Sequence, residues 1–135
     1  MTSGYSGTPL AKKLSLKDGM RTWWDGMPDS VRADIDGSGL ALKQRKTPIG
    51  PLDGVHLFVT RRDVLDCKLR LLLPLLDRAG FVWVSWPKKS AKADTDITED
   101  VIRGVALPMG LVDVKVCAVD ETWSGLKLVI RKENR

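Results

Sequence analysis

The stretch VHLFVTRRDVLDCKLRLLLPLLDRAGFVWVSW, residues 55–86, decides the fold. It begins with a short, almost continuous apolar run at Val55–Thr60 and closes with a second run at Phe81–Trp86, a pattern typical of strands buried on both faces of a parallel sheet. Between the two runs, leucines at helical spacing predict a helix over Asp63–Ala79, bent at Pro74. A strand, a helix and a strand in this order predict an α/β fold.

Weaker patterns on both sides of this stretch extend the sheet and add helices. The predicted segments are short helices from Pro9 to Leu14 and from Pro28, strands at Met20–Trp24 and Leu40–Lys43, a helix beginning at Thr98, and strands at Val112–Val119 and Leu126–Arg131. The last two strands are joined by a loop that contains glycine, which favours a hairpin. The sequence therefore predicts a three-layer, Rossmann-like α/β fold with a mostly parallel sheet of about six strands and a C-terminal antiparallel hairpin.

The length and composition of the chain indicate one compact domain. It has 135 residues, of which 43% are hydrophobic and 29% are charged, as in ordinary globular proteins. We expect a single domain over residues 1–135, in which residues 1–18 form an N-terminal arm and a short helix that packs on the sheet. The first ten residues lack the charged start and apolar run of an export signal, so we expect a cytoplasmic protein with no membrane span.

The net charge favours an anionic partner without identifying one. Lysine and arginine number 22 against 17 acidic residues, which gives a formal charge of +5. The basic residues are dispersed along the chain, and this argues against a nucleic-acid-binding arm.

The sequence assigns no catalytic residue, no metal and no cofactor. Cys67 and Cys117 lie in apolar segments and are expected to be reduced, buried thiols. The single histidine, His56, lies inside an apolar strand pattern, where a core role is expected. A metal cluster and a Ser/His/Asp triad both need a histidine placed beside other functional side chains, and neither pattern is present.

A candidate ligand site lies where ligands usually sit in an open α/β sheet, beyond the carboxyl ends of the strands. The predicted strands bring a mixed aromatic, basic and acidic set of side chains to this edge. Lysine and arginine bind anions, and tryptophan offers a flat face for stacking. The candidate ligand-binding residues are Trp24, Asp25, Arg61, Trp86, Lys88, Lys89, Asp120, Glu121 and Trp123.

Four motifs carry a resemblance to a known family. They are GYSGTPLAKKL at residues 4–14, WPKK at 86–89, TEDV at 98–101 and GLVDVKVCAVDETWSGLKL at 110–128. Together they resemble a small bacterial family that is described as a domain of unknown function. The resemblance implies a bacterial origin and supplies no activity.

The order of elements also resembles the class I S-adenosylmethionine-dependent methyltransferases with one strand and one helix missing. In those enzymes the first strand ends in a glycine-rich turn that lets the backbone approach the cofactor. Here the corresponding segment is Trp24-Asp25-Gly26-Met27-Pro28, a single glycine followed by a bulky side chain and a proline. We therefore expect no cofactor at this turn.

Three hypotheses about function follow. The first is a non-enzymatic binding or regulatory domain that engages an anionic ligand or a protein partner at the carboxyl edge of the sheet. The alternative is a methyltransferase-like cofactor-binding protein or enzyme, and the second alternative is a weak nucleic-acid binder. The protein is expected to be a monomer, or a homodimer formed through the exposed edge of the terminal hairpin.

Overall fold

The structure is a computed structural model, and it describes residues 8–135. Residues 1–7 of the predicted arm, with the first part of the GYSGTPLAKKL motif, lie outside the described residues. The helices are α1 (Leu10–Lys13), α2 (Asp29–Asp36), α3 (Arg62–Leu72) and α4 (Glu99–Ala106), and the strands are β1 (Arg21–Asp25), β2 (Lys43–Gln44), β3 (Leu52–Phe58), β4 (Leu76–Pro87), β5 (Leu111–Ala118) and β6 (Trp123–Ile130).

The strands form one six-stranded sheet in the order β2-β1-β3-β4-β6-β5. The first four strands are mutually parallel, and β6 is antiparallel to both β4 and β5, so only β6 runs against the others. The predicted Rossmann-like α/β class, with its mostly parallel sheet and its C-terminal antiparallel hairpin, is confirmed.

The two faces of the sheet carry separate apolar clusters. On one face, which we call the α3/α4 face, the central strands pack against buried residues such as Leu69 and Ile102. The opposite face, the α1/α2 face, buries Val31 and Trp83. The indole N–H of Trp83 donates a hydrogen bond of 2.9 Å to the carbonyl of Leu14, which fixes α1 against the sheet. The domain therefore has helix, sheet and helix layers.

The predicted helix over Asp63–Ala79 is too long. Helix α3 ends at Leu72, a single 3-10 turn follows at Leu73–Leu75, and β4 begins at Leu76. Pro74 has no N–H to donate back along a helix and its ring crowds the preceding turn, so it ends α3 rather than bending it.

Gly80 lies inside β4 and does not stop a helix. A Cβ atom on Gly80 would lie 2.9 Å from the carbonyl oxygen of Leu52 on the neighbouring strand. Glycine is therefore required here because the backbones of β3 and β4 approach each other closely.

The start of α4 agrees with the sequence prediction. The Thr98 hydroxyl accepts a hydrogen bond of 3.2 Å from the Val101 N–H, while Glu99 and Asp100 occupy the first turn. An accepting side chain and acidic residues both stabilise a helix N-terminus, because the free N–H groups there carry a partial positive charge.

The two cysteines depart from the expectation of buried thiols. Cys67 is exposed on α3, and Cys117 is partly buried on β5. Cys67 is exposed because the apolar face of α3 is formed by Leu65, Leu69 and Leu72, and position 67 lies off that stripe. Burial raises the pKa of the Cys117 thiol.

None of the helices formed by residues 8–135 combines the length and the apolar character needed to cross a bilayer.

Candidate functional site

The carboxyl ends of β1, β3 and β4 meet at one edge of the sheet because these strands are parallel. The turn between β5 and β6 returns to this carboxyl edge, since Trp123 at the start of β6 pairs with Pro87 at the end of β4. From β1 the chain crosses outward to β2, whereas from β3 it crosses the opposite way to β4. This reversal between β1 and β3 is the switch point at which α/β folds commonly place a ligand crevice.

A cavity of about 460 Å³ lies at the end of β4, on the α3/α4 face. We call it the β4 pocket. Its lining includes Trp86, Lys88 and Lys89 from the end of β4 and the loop behind it, together with Ile97 and Glu99 at the start of α4. Three of the residues predicted from the sequence to bind ligand therefore line one pocket.

The charged residues that line the β4 pocket are two lysines, Lys88 and Lys89, and one acid. Among the described lining residues Glu99 is the one acid, and its carboxylate accepts a hydrogen bond of 2.6 Å from the Arg103 guanidinium. The hydroxyl of Thr95 donates to the Thr60 carbonyl at 2.7 Å, so it already has an acceptor. The ammonium of Lys89 is therefore the group best suited to attract a ligand, and it would attract an anionic group.

The acidic candidates occupy a different cavity. Asp120 and Glu121 line a space of about 240 Å³ on the α1/α2 face, together with Ser30 and Asp34 of α2. The Asp120 carboxylate accepts hydrogen bonds from the backbone N–H groups of Thr122 at 2.8 Å and Trp123 at 2.7 Å, which shape the turn. The mixed rim expected from the sequence is thus divided between the two faces of the sheet.

Two tryptophans among the candidates pack inward. Trp24 is 8% exposed and belongs to the apolar cluster of the α1/α2 face. The rings of Trp123 and Phe58 are nearly perpendicular, with 5.1 Å between the ring centroids. Both side chains contribute to packing at the carboxyl edge.

The last two candidates are held in ion pairs on the α3 side of the edge. The Asp25 carboxylate is paired with the ammonium of Lys68 on α3. The Arg61 guanidinium is paired with Asp94 at 2.6 Å, and both of these side chains are exposed. Each of these pairs ties the end of a strand to an adjacent segment.

Sequence reasoning missed the residues that α3 and α4 bring to the edge. Nothing in the spacing of α3 shows that Lys68 reaches Asp25, because the contact depends on how the helix crosses the sheet. The start of α4 carried a usable signal, since Thr98 and Glu99 were predicted to begin a helix. A helix that follows a parallel strand begins near the carboxyl edge, so these residues could have been included in the site.

The turn after β1 does not fit a group that needs close approach to the backbone. Gly26 has φ +70°, and a Cβ there would lie 3.3 Å from the Phe58 carbonyl oxygen, so the glycine makes room for β3 rather than for a ligand. Pro28 then caps α2 without an N–H, and Asp29 places negative charge in the first turn. These features oppose the binding of a phosphate at this turn. Folds that bind a dinucleotide also place an acidic residue after the second strand, where it binds the ribose, and here Arg45 follows β2.

The histidine-serine contact in the structure is buried. His56 Nε2 lies 2.6 Å from the Ser85 hydroxyl, and the two residues are 1% and 0% exposed. A nucleophile has to reach its substrate, so this pair is placed for packing rather than for catalysis. Within residues 8–135, no three His, Cys, Asp or Glu side chains are arranged to hold a metal ion.

No protein-family model matches the chain, and no curated protein sequence matches it. The resemblance to the small bacterial family stays a prediction.

Several solved structures are similar in fold. The ribosomal protein L11 methylase of Lactobacillus delbrueckii subsp. bulgaricus superposes with a TM-score of 0.60 at 12% identity, over 90% of this chain and 77% of that chain. The magnesium protoporphyrin IX methyltransferase of Synechocystis, solved with bound S-adenosylmethionine, gives a TM-score of 0.54 at 12% identity, over 84% of this chain and 71% of that chain. A protein of the NADB-Rossmann superfamily from Streptococcus agalactiae gives a TM-score of 0.55 at 12% identity, over 97% of this chain and 71% of that chain. These similarities show a methyltransferase-like Rossmann fold.

Proposed function

We propose that this chain is a methyltransferase-like ligand-binding protein that holds, in the β4 pocket, a small molecule of the nucleotide or adenosyl class that carries a phosphate or carboxylate group. The observation that carries the proposal is the convergence of Trp86, Lys88 and Lys89 on one cavity at the carboxyl edge of the sheet. Lysine ammonium groups attract phosphate or carboxylate, and an aromatic wall suits a flat ring.

The size and charge of the β4 pocket support a small molecule as the ligand. Its volume of about 460 Å³ falls within the range of roughly 300–1,000 Å³ that is usual for small-molecule sites. Its lining is apolar at Trp86 and Ile97 and basic at the loop, while the negative charge of Glu99 is offset by Arg103. Such a site holds the ring of a ligand by burial and its anionic group by charge.

The fold similarities support the cofactor-binding alternative over a domain that engages only a protein partner. One of the similar structures was solved with S-adenosylmethionine bound, and another is a methylase. The turn after β1 does not suit such a ligand, because Phe58 fills the space beside Gly26. We therefore place the ligand at β4 rather than at the switch point, and we assign no catalytic residue.

Trp86 is a poor choice for testing the pocket, because it also belongs to the core of the α3/α4 face and is 9% exposed. Truncating a buried tryptophan to alanine costs about 3–5 kcal/mol, and unfolding would then hide any effect on binding. Ala93 is exposed and lines the pocket, whereas Ala91 is exposed on the same loop and is not among the lining residues. Ala93→Leu and Ala91→Leu are therefore a matched pair.

The test is a thermal-shift titration with ATP, ADP, GTP, S-adenosylmethionine and S-adenosylhomocysteine. A ligand present at 100 times its Kd stabilises the native state by about 2.7 kcal/mol, which is readily measured. We expect at least one compound to raise Tm, with an apparent Kd weakened at least tenfold by Ala93→Leu and unchanged by Ala91→Leu. Lys89→Gln should weaken the binding of ATP, ADP and GTP, because it removes a positive charge that faces their phosphates.

Two results would contradict the proposal. If none of the five compounds raises Tm, the ligand class is wrong. If a compound binds equally well to the wild type and to Ala93→Leu, the ligand does not occupy the β4 pocket.

A further inference from the structure

Lysines from three parts of the chain converge on the α1/α2 face of the terminal hairpin, away from the β4 pocket. Lys115 on β5 and Lys127 on β6 are directly opposite each other in the strand register. The ammonium of Lys127 lies 3.1 Å from the hydroxyl of Ser15, two residues before Lys17. Lys13 on α1 reaches the same hairpin, where its ammonium donates to the Ala118 carbonyl at 2.9 Å. We call Lys17, Lys115 and Lys127 the lysine cluster.

The positive charges of the lysine cluster repel one another. Burial lowers the pKa of Lys127, and the charges of Lys115 and Lys17 lower it further. None of the three forms an ion pair with a carboxylate of residues 8–135, where the pairs involve Arg21, Arg61, Lys68, Arg70 and Arg103. Like charges directly opposite in neighbouring strands destabilise a sheet, so the arrangement carries a cost in the isolated protein.

Protection of a sheet edge explains only part of this cluster. β5 is an edge strand, and a lysine on an edge strand discourages pairing with another chain. That accounts for Lys115, which is exposed. Lys127 is on β6, which is paired on both sides, and its ammonium lies 4.8 Å from the centre of the Phe81 ring. An inner-strand lysine held over an aromatic ring protects no edge.

We propose that the lysine cluster binds phosphate groups. Three ammonium groups need more than one negative charge to balance them, and a phosphate group supplies about 1.5 to 2 charges at pH 7 where a carboxylate supplies one. The hydroxyl of Ser15 lies beside the Lys127 ammonium and offers a further donor to a phosphate oxygen. This site lies apart from the β4 pocket and does not depend on the function proposed for it.

The experiment compares inorganic phosphate and tripolyphosphate with acetate at equal ionic strength, using Tm and the backbone amide NMR signals as readouts. A short single-stranded DNA is a further arm, because phosphate groups can come from a free oligophosphate or from a nucleic-acid backbone. Lys127→Met keeps the apolar stem over Phe81 and removes the charge, and Lys115→Gln removes the second charge. Lys46→Gln, at an exposed lysine outside both the lysine cluster and the β4 pocket, is the matched control.

We expect tripolyphosphate to raise Tm more than acetate does and to shift the amide signals around Ser15, Lys115 and Lys127. Lys127→Met and Lys115→Gln should each weaken the apparent Kd for tripolyphosphate at least fivefold, while the Lys46→Gln control leaves it unchanged. Without phosphate, Lys115→Gln should keep or raise Tm, because it relieves repulsion. Tighter binding of DNA than of tripolyphosphate would identify a polymer backbone as the source of the phosphates.

The proposal is overturned if phosphate and acetate act alike on the wild-type protein. It is also overturned if the cluster variants respond to tripolyphosphate as strongly as the Lys46→Gln control does. The NMR signals keep the test decisive for a variant with reduced stability, because they report folding and binding separately.

Discussion

At the scale of single residues, His56 shows how burial fixes a protonation state. It lies in the middle of β3, stacked on Phe58 with 4.4 Å between the ring centroids, and its Nε2 atom shares a hydrogen bond with the Ser85 hydroxyl. Its Nδ1 atom is buried and has no hydrogen-bond partner among the described residues. Burial lowers the pKa of His56 to about 3, so the imidazole is neutral in the folded protein at neutral pH.

This lowered pKa predicts a loss of stability in mild acid. Between the unfolded value of about 6.5 and the folded value of about 3, the unfolded chain binds a proton at His56 that the native state does not, so stability falls with falling pH. Between pH 6.5 and pH 4.5 we expect a loss of about 2 kcal/mol in the free energy of unfolding. Urea denaturation at several pH values measures it.

The matched variant is His56→Phe, which cannot titrate. We expect it to be less stable at pH 7, because Ser85 loses its partner, but nearly independent of pH over the same window. Hydrogen bonds from Arg21 and Arg103 lower the pKa of Asp53 and Asp113 respectively, so the stability that these carboxylates add is lost mainly below the unfolded pKa of about 3.9, under the window of this test. If the free energy of unfolding falls equally with pH in the wild type and in the variant, His56 is not the cause of the acid sensitivity.

Two glycines are predicted to respond in opposite directions to alanine. Gly26 has φ +70° and contacts Phe58, so Gly26→Ala should lower the free energy of unfolding by about 1–2 kcal/mol. Gly104 lies in α4 with open space around its Cα, so Gly104→Ala should raise it by up to about 1 kcal/mol. Urea denaturation of both variants measures the pair of effects. If Gly26→Ala is as stable as the wild type, Gly26 is not needed for the close approach of β1 and β3.

At the scale of elements, Arg103 adds a charged link between α4 and the sheet to the apolar packing of that helix. Arg103 contacts Glu99 at 2.6 Å and Asp100 at 3.1 Å within its own helix, and Asp113 on β5 at 2.9 Å. These partners raise the pKa of Arg103, and the largest cause is the hydrogen bond that Arg103 donates to the Asp113 carboxylate. A planar guanidinium can serve several carboxylates at once, which a single ammonium cannot do in the same geometry.

We therefore expect Arg103→Lys to lower Tm, although charge is conserved. The control is Arg70→Lys, because the one ion pair of Arg70 within residues 8–135 is with Asp66, one turn away on α3, and Arg70 is more exposed than Arg103. Exposed pairs of this kind contribute little to stability, so Arg70→Lys should change Tm less. Thermal unfolding followed by circular dichroism measures Tm for both variants. The difference between their Tm changes should become smaller in high salt, because salt screens the charges. Equal shifts for the two variants would show that the contact between α4 and β5 adds nothing.

At the scale of the whole molecule, the sequence predicts the layers better than it predicts the site. The apolar runs at Val55–Thr60 and Phe81–Trp86 predicted two buried parallel strands, and the structure contains them as β3 and β4. The end of α3 was misplaced because leucines continue at helical spacing through Leu76, and only the chain geometry at Pro74 shows where helix becomes strand.

The site was only partly predictable, since the face on which a side chain lies depends on strand register. Sequence order brings Lys89 and Asp120 to one edge, but not to one pocket, because the sheet separates the two cavities. Likewise, Lys115 meets Lys127 only because the register shifts between Asp113 and Lys115. A bulge moves every later side chain to the other face, and no spacing rule reveals it.

The position of β6 between β4 and β5 has a consequence for biosynthesis. Among the strands of residues 8–135, β5 pairs with β6 alone, and β6 is synthesised after it, so β5 has no partner strand when it is first made. Until residues 123–130 follow, the nascent chain carries a bare edge on β4 and an unattached segment that includes Val114 and Val116, both exposed even in the finished fold. Translation arrest within residues 111–122 would therefore release a chain open to aggregation and proteases, because it would lack β6, the strand that joins β5 to β4.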